Sequence, residues 1–441
     1  MKQVIYELKK ISYIALPILA AFLSHLLIGF ADSVMAGRYS SNDLAAISIG
    51  ASIWLPIYLF FSAIISALTP LLASMVGEGE KLQQKNLIKT GKILSVAIGF
   101  ILMGVIILST YFIDIVIKDE NIFLIAKKYL IFISFGMPAF MLYRVYSSIF
   151  EAYGKTIPIM ISSFSGALVN IPLNYIFIYG KFGLPVFGGV GCGIASFISS
   201  YVMLFVISAI YKNLNYISKN FKNGNINRKF AKKIIALGIP IGTSTFLEAF
   251  IFGFGSILLA PLGPVSVAAH QIALNFISTI FMIPMSLSIA ISVRISQFYG
   301  KKDLQYTTFI WKYGALYVEI IAIISSIIMW ICSDYILGVY TKDHSVLAIA
   351  KPLFMLAILF HTIDAFQVTA SNILKGYHNT RVPMYVNIIS YWIIALPLGY
   401  ILVYIVKLGP IGFWLSLVAG IINSAVILCF FLVKKYNFNI N

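Results

Sequence analysis

Acidic side chains are scarce in this chain: only fifteen Asp and Glu stand among 441 residues, and charged residues of both signs make up 11% of it. A water-soluble domain puts about a quarter of its residues into charged positions, so a soluble surface of matching size cannot be assembled here. The sequence is 60% hydrophobic with a mean hydropathy of +0.94, which makes lipid the solvent for most of its surface. Cysteine is scarce too. Cys192, Cys332 and Cys429 are odd in number, far apart and set in apolar segments, which argues for packing roles and against a disulfide framework or a metal-ligand spacing. Period-two alternation is missing as well. Its absence speaks against a β-barrel, and because lipid offers the backbone no hydrogen bonds, the unbroken apolar runs select helices.

Positive charge is what the sequence has in excess, a formal +17. Its placement explains it. Apolar segments at 11–35, 44–76, 93–113, 123–149, 158–179, 188–211, 234–260, 267–293, 310–333, 346–372, 383–405 and 409–433 are each long enough to cross roughly 30 Å of hydrocarbon at about 1.5 Å per residue. With the N-terminus inside, 24 of the 32 Lys and Arg fall on the cytoplasmic side, the orientation signal of membrane insertion. Such charge needs no partner beyond anionic lipid headgroups, and no nucleic acid is expected. The apolar run after Lys9 and Lys10 mimics a secretory signal, but it extends past a signal core without a small-residue cleavage site. It is expected to stay as the first span, with both termini cytoplasmic.

The chain repeats itself. Shifted by 223 residues, Lys9-Lys10-Ile11 falls on Lys232-Lys233-Ile234, Pro17-Ile18 on Pro240-Ile241, Ala45-Ala46 on Ala268-Ala269 and Gly77 on Gly300, without a gap. Further along, Pro158, Pro172, Tyr175 and Tyr179 meet Pro383, Pro397, Tyr400 and Tyr404 at an offset of 225. Six spans per half is an even number, so both halves enter the membrane in the same orientation. The expected fold is an all-α integral membrane protein of twelve transmembrane helices in two six-helix lobes, related by a pseudo-twofold axis along the membrane normal. The lobes are read as 1–210 and 234–441, joined by a basic cytoplasmic linker at 211–233. Two such lobes imply a cleft that rocking exposes to alternate sides, and they already complete it, so a monomer suffices.

Three of the few acids, Asp32, Glu248 and Asp364, lie inside apolar runs, where an ionisable residue marks function by default. None falls on another acid under the repeat, which favours a separate task for each half. Asp32 accompanies Asn170 and Asn174, one helical turn apart, and Ser196. One carboxylate with amide and hydroxyl oxygens suits a small hard cation, a proton at Asp32, or plain interhelical hydrogen bonding. Glu248 and Asp364 are read as a coupling-ion or proton site that also attracts a cationic substrate. Glu319 is expected to reach headgroups or Lys312, Arg144 and Arg294 to reach the interface or pair locally, and His25, His270 and His361 to be packing residues. The 34 Phe and 26 Tyr include candidates for stacking on flat cations.

Several blocks, in order and nearly end to end, resemble the multidrug and toxic compound extrusion transporters, on their NorM-like branch. They are Gly29-Phe30-Ala31-Asp32-Ser33-Val34-Met35-Ala36-Gly37, Ser52-Ile53-Trp54-Leu55-Pro56, Asn170-Ile171-Pro172-Leu173-Asn174-Tyr175, Gly188-Gly189-Val190-Gly191-Cys192-Gly193, Val267 to Asn275 and Asp364-Ala365-Phe366-Gln367. The resemblance implies efflux of cationic amphiphilic drugs and dyes across a bacterial cytoplasmic membrane, in exchange for Na⁺ or H⁺ and with no cofactor. It implies cation coupling at Asp32, Asn170, Asn174 and Ser196 and at Glu248 and Asp364, with Na⁺ a possible ligand of either set. Glu248, Asp364, Gln271 and Phe360 are implied as substrate contacts. One position departs from the pattern: where some relatives place a cation-binding Tyr one turn before the tenth-span acid, this chain has Phe360. That removes a hydroxyl ligand from Na⁺ and leaves proton use of Asp364 untouched.

Two other readings are weaker. A lipid-linked precursor flippase would want basic groups in the cleft for a pyrophosphate, where this sequence has acids. A membrane enzyme of the prenyl transferase kind would want clustered acids near a loop, and these sit on separate spans, so no enzyme is expected.

Overall fold

The apolar runs fold as helices that extend past them at one end or both. Residues 1–113, 119–213 and 224–436 are described by a computed structural model, and among them the regular elements are helical. In chain order they are α1 (Lys2–Tyr39), α2 (Ser41–Ser66), α3 (Leu68–Glu78), α4 (Lys81–Ser109), α5 (Glu120–Ser134), α6 (Met137–Ala152), α7 (Ile157–Tyr179) and α8 (Val190–Asn213). Beyond them come α9 (Arg228–Leu259), α10 (Pro264–Gly300), α11 (Leu304–Ile331), α12 (Ser333–Tyr340), α13 (His344–Gly376), α14 (Arg381–Asn387), α15 (Leu396–Tyr400) and α16 (Pro410–Tyr436). Among the described residues eleven helices, counting α2 with α3 and the segment Arg381–Ile405 as one each, are long and apolar enough to cross a membrane. α5 and α6 meet at 44° and as one broken span bring the number to twelve. Short polar side chains start several helices: Ser40 accepts from the Asn42 N–H, and Asp119, Asp303 and Asp343 do the same at α5, α11 and α13.

The described residues pack as two compact units, Leu16–Gly242 and Met1–Ala15 with Thr243–Asn441. These boundaries differ from the lobes read at 1–210 and 234–441. The reason lies in the first helix of each repeat. The opening turns of α1 pack within the second unit, where Ser12 bonds to Tyr317 at 2.9 Å and Glu7 pairs with Arg294 at 2.6 Å. Conversely, the opening turns of α9 pack within the first unit, where a Cβ on Gly238 would stand 2.8 Å from Ile64 Cα. Each exchange falls close to a repeat-matched proline, Pro17 or Pro240. Of the expected linker, 214–223 lies outside the described residues. Its far end is tied to α4: the N–H groups of Asn225 and Asn227 donate to Asn86 Oδ1 and Thr90 Oγ1.

Helices in lipid associate by close packing and hydrogen bonds rather than by hydrophobic transfer. In the first unit, α7 and α8 touch backbone to backbone because Gly191 has no Cβ; one there would lie 2.8 Å from Ile178 N. In the second unit, α10 packs along α13, and α13 along α16, around the fully buried Phe354, Phe360, Phe413 and Trp414. Each unit also holds a buried ion pair. Arg144 reaches Glu151 on its own helix with two hydrogen bonds, 2.6 and 3.1 Å, and Thr69 donates to the same carboxylate. Arg294 reaches Glu7, which also accepts from Tyr306 at 2.8 Å.

Candidate functional site

Two polar clusters sit in otherwise apolar packing, one in each unit. The first is assembled from α1, α7 and α8. Asn170 and Asn174, four residues apart on one face of α7, are fully buried. Asn174 Nδ2 donates to Asp32 Oδ1 at 2.5 Å and to Asn170 Oδ1 at 2.9 Å. Asn170 Nδ2 donates to Ser196 Oγ at 3.4 Å, and the Ser196 hydroxyl donates to Asp32 Oδ2 at 3.5 Å. All four residues expected in the first-lobe set are therefore brought together. The amide orientation of Asn174 is fixed, since turning it over would set its oxygen against the carboxylate and the Asn170 oxygen. That leaves Asn174 Oδ1 buried without a donor. An orphaned acceptor beside a carboxylate costs about 1–3 kcal/mol unless something positive meets it. A small cation fits that description.

The second cluster lies among α9, α13, α14 and α16. Glu248, half-buried on α9, accepts from Asn387 Nδ2, which also donates to Ser244 at 3.3 Å. Asn387 Oδ1 accepts from Gln367 Nε2 at 3.0 Å, and that nitrogen lies 3.3 Å from Ser424 Oγ. Asp364, half-buried, shares the α13 face with Gln367 and Ser371, three and seven residues on. Its carboxylate interacts electrostatically with that of Glu248, which in turn interacts with Lys375. Asn387 and Gln367 had no place in the sequence-derived set. Lone amides on separate spans leave no spacing to read, although Gln367 lies in the Asp364-Ala365-Phe366-Gln367 block.

The remaining expected residues have partners of their own or, among the described residues, none. Gln271 Nε2 donates to Ser256 on α9 at 2.7 Å. Phe360 is 1% exposed and packs edge-to-face against Phe252 and Trp414. His361 does not supply the hydroxyl that Phe360 lacks: its Nε2 lies 3.0 Å from Ser325 Oγ on α11. His270 accepts from Trp414 Nε1 at 3.2 Å and is fully buried. Glu319 stands on α11 and is half-buried. Its Oε2 is buried without a hydrogen-bond partner among the described residues, while Lys312 lies 5.8 Å over the Trp311 ring. Replacing Glu319 by Leu is therefore expected to raise thermal stability, by about 1–3 kcal/mol for an orphaned polar group, with transport retained. Thermal unfolding in detergent checks this; a lower midpoint would show that Glu319 has a stabilising partner.

An all-helical membrane bundle with carboxylates held inside it is the architecture of a transporter. The MatE family profile matches residues 17–176 and 240–401, one block in each half. "Probable multidrug resistance protein NorM" of Acinetobacter baylyi is 36% identical over 437 residues, covering 98% of this chain and 97% of that protein. The chain belongs to the MatE family of multidrug and toxic compound extrusion transporters, with the sequence of a NorM-like member. Two solved structures share the fold. A eukaryotic MATE transporter, AtDTX14, superposes with a TM-score of 0.89 at 20% identity, covering 98% of this chain and 97% of that one. A transporter of the MOP superfamily from Pyrococcus furiosus, described by a reversed polarity of its binding pocket, gives 0.86 at 18% identity, covering 97% and 96%.

Proposed function

We propose that the protein is a multidrug efflux antiporter that exports cationic amphiphilic compounds in exchange for Na⁺ or H⁺ by alternating access. The observation that carries the coupling is the orphaned Asn174 oxygen beside Asp32, inside a cluster otherwise closed by hydrogen bonds. Asp32, the two asparagines and Ser196 would hold the coupling cation, and Glu248 with Asp364 would receive a cationic substrate or a second coupling ion. The NorM relative's name supports the drug class. The charge asymmetry of the sequence supports cytoplasmic termini, and the relative from Acinetobacter baylyi supports a bacterial inner membrane.

A precursor flippase is the second reading, since a MOP superfamily transporter of different pocket polarity shares the fold. It would want a basic site. Here Lys375 is the cation in electrostatic reach of Glu248, and two carboxylates outnumber it. The deciding experiment is efflux of ethidium from proteoliposomes under a Na⁺ gradient alone and a pH gradient alone. One gradient is expected to drive efflux. Response to neither would end the antiporter reading.

A further inference from the structure

The span that carries Asn387 is interrupted by two π segments. α-Helical bonding runs from Arg381 to Asn387 and gives way to π bonding over Ile388–Ala395, with the Leu396 N–H donating to the Tyr391 carbonyl. π bonding returns over Ile401–Ile405, where the Val406 N–H donates to Ile401 at 2.9 Å. Pro397 lacks an N–H and cannot complete an α turn here. A π turn rotates the rest of its helix relative to a regular α path, and such turns recur at functional sites. This one is pinned by α16: a Cβ on Gly420 would lie 2.8 Å from the Ser390 carbonyl oxygen, and Asn423 Nδ2 donates to Ser390 Oγ at 3.0 Å. Asn387, 1% exposed, is the last α-helical residue before the turn.

Its amide is used on both sides. Nδ2 donates to Glu248 Oε1 and Ser244, and Oδ1 accepts from Gln367, whose nitrogen also lies 3.5 Å from Ser371 Oγ. Turned over, the amide would face the carboxylate with its oxygen and the Gln367 nitrogen with its own. The chain of bonds therefore has one direction, from α13 through Asn387 to Glu248.

We propose that Asn387 is a positioning residue of the second-unit acidic site, pinning one oxygen of Glu248 as an acceptor so that the other remains for a coupling cation shared with Asp364. The proposal rests on the antiport reading above. Gln367 supports Asn387 from the same α13 face that presents Asp364, so both carboxylates are referred to one helix. Serine at 387 would keep one donor, and leucine none.

The test is ethidium efflux from proteoliposomes at graded Na⁺ and graded pH on the driving side, for wild type, Asn387→Leu, Asn387→Ser and Gln367→Leu. In Asn387→Leu half-saturating Na⁺ is expected to rise about tenfold if Na⁺ drives, because the carboxylate loses its fixed orientation, and half-saturating H⁺ to fall about tenfold if H⁺ drives, because an N–H donated to a carboxylate favours its charged form; in either case the maximal rate stays within about threefold. Asn387→Ser is expected to fall between. A role in folding alone would lower the yield or the maximal rate without moving half-saturation, and unchanged half-saturation in folded Asn387→Leu overturns the proposal. Should that variant fail to fold, Asn387→Ser and Gln367→Leu decide by the same criterion. A wild type that answers neither gradient overturns the antiport reading itself, a result distinct from a responsive wild type matched by its variants.

Discussion

Asp364→Asn and Glu248→Gln are each expected to abolish drug efflux while the protein is still made and folded. Both substitutions keep the volume of the side chain and remove only its ability to carry charge. A cation about 4 Å from a carboxylate gains about 4 kcal/mol at an effective dielectric constant near 20, close to three orders of magnitude in binding. No amide recovers that. Glu248→Gln carries a second effect, because its new NH₂ can meet the Asn387 NH₂ that now donates to Oε1. Asp364→Asn is free of that complication, since Asp364 enters through electrostatics with Glu248. Ethidium accumulation in cells expressing each variant, normalised to membrane protein, is the measurement. Wild-type efflux in both would remove these acids from the mechanism.

Glu7→Ala is expected to cost more stability than any other single change considered. Glu7 is 1% exposed and receives Arg294 Nε at 3.1 Å, Arg294 NH2 at 2.6 Å and the Tyr306 hydroxyl at 2.8 Å. Removing one partner of a buried pair costs about 3–5 kcal/mol, because the other charge is left without compensation. Arg294 is 14% exposed and keeps Gln297 Oε1 at 2.9 Å and the Phe298 ring at 4.9 Å, so the lower end of that range is expected. The combination Glu7→Ala with Arg294→Met should recover most of the loss, since no charge then remains to be satisfied. Thermal midpoints of the purified variants test this. A Glu7→Ala midpoint equal to wild type would mean that the first turns of α1 are not held by this pair.

The helical class and the number of spans followed from hydropathy, because length and apolarity are sequence properties in lipid. The first cluster was equally legible. Asn170 and Asn174 are one turn apart, and Asp32 stands out wherever acids are few. The second was legible only in its charges. Asn387 reaches Glu248, and Gln367 reaches Asn387, across separate helices, and lone amides on separate helices leave no period in the sequence. Pro397 was visible, though as the repeat partner of Pro172, whose helix has no π turn. The exchange of the first turns of α1 and α9 between compact units was hidden for another reason. Connectivity along a helix does not say against which neighbours each of its turns packs.

Asp32 lies seven residues before the end of α1 at Tyr39, whereas Glu248 lies eleven before the end of α9 at Leu259. At about 1.5 Å per residue these are depths of about 10 and 16 Å from the helix ends. Each carboxylate thus sits about two or three turns inside the end of its own helix, where a bound charge would sense part of any voltage across the hydrocarbon layer.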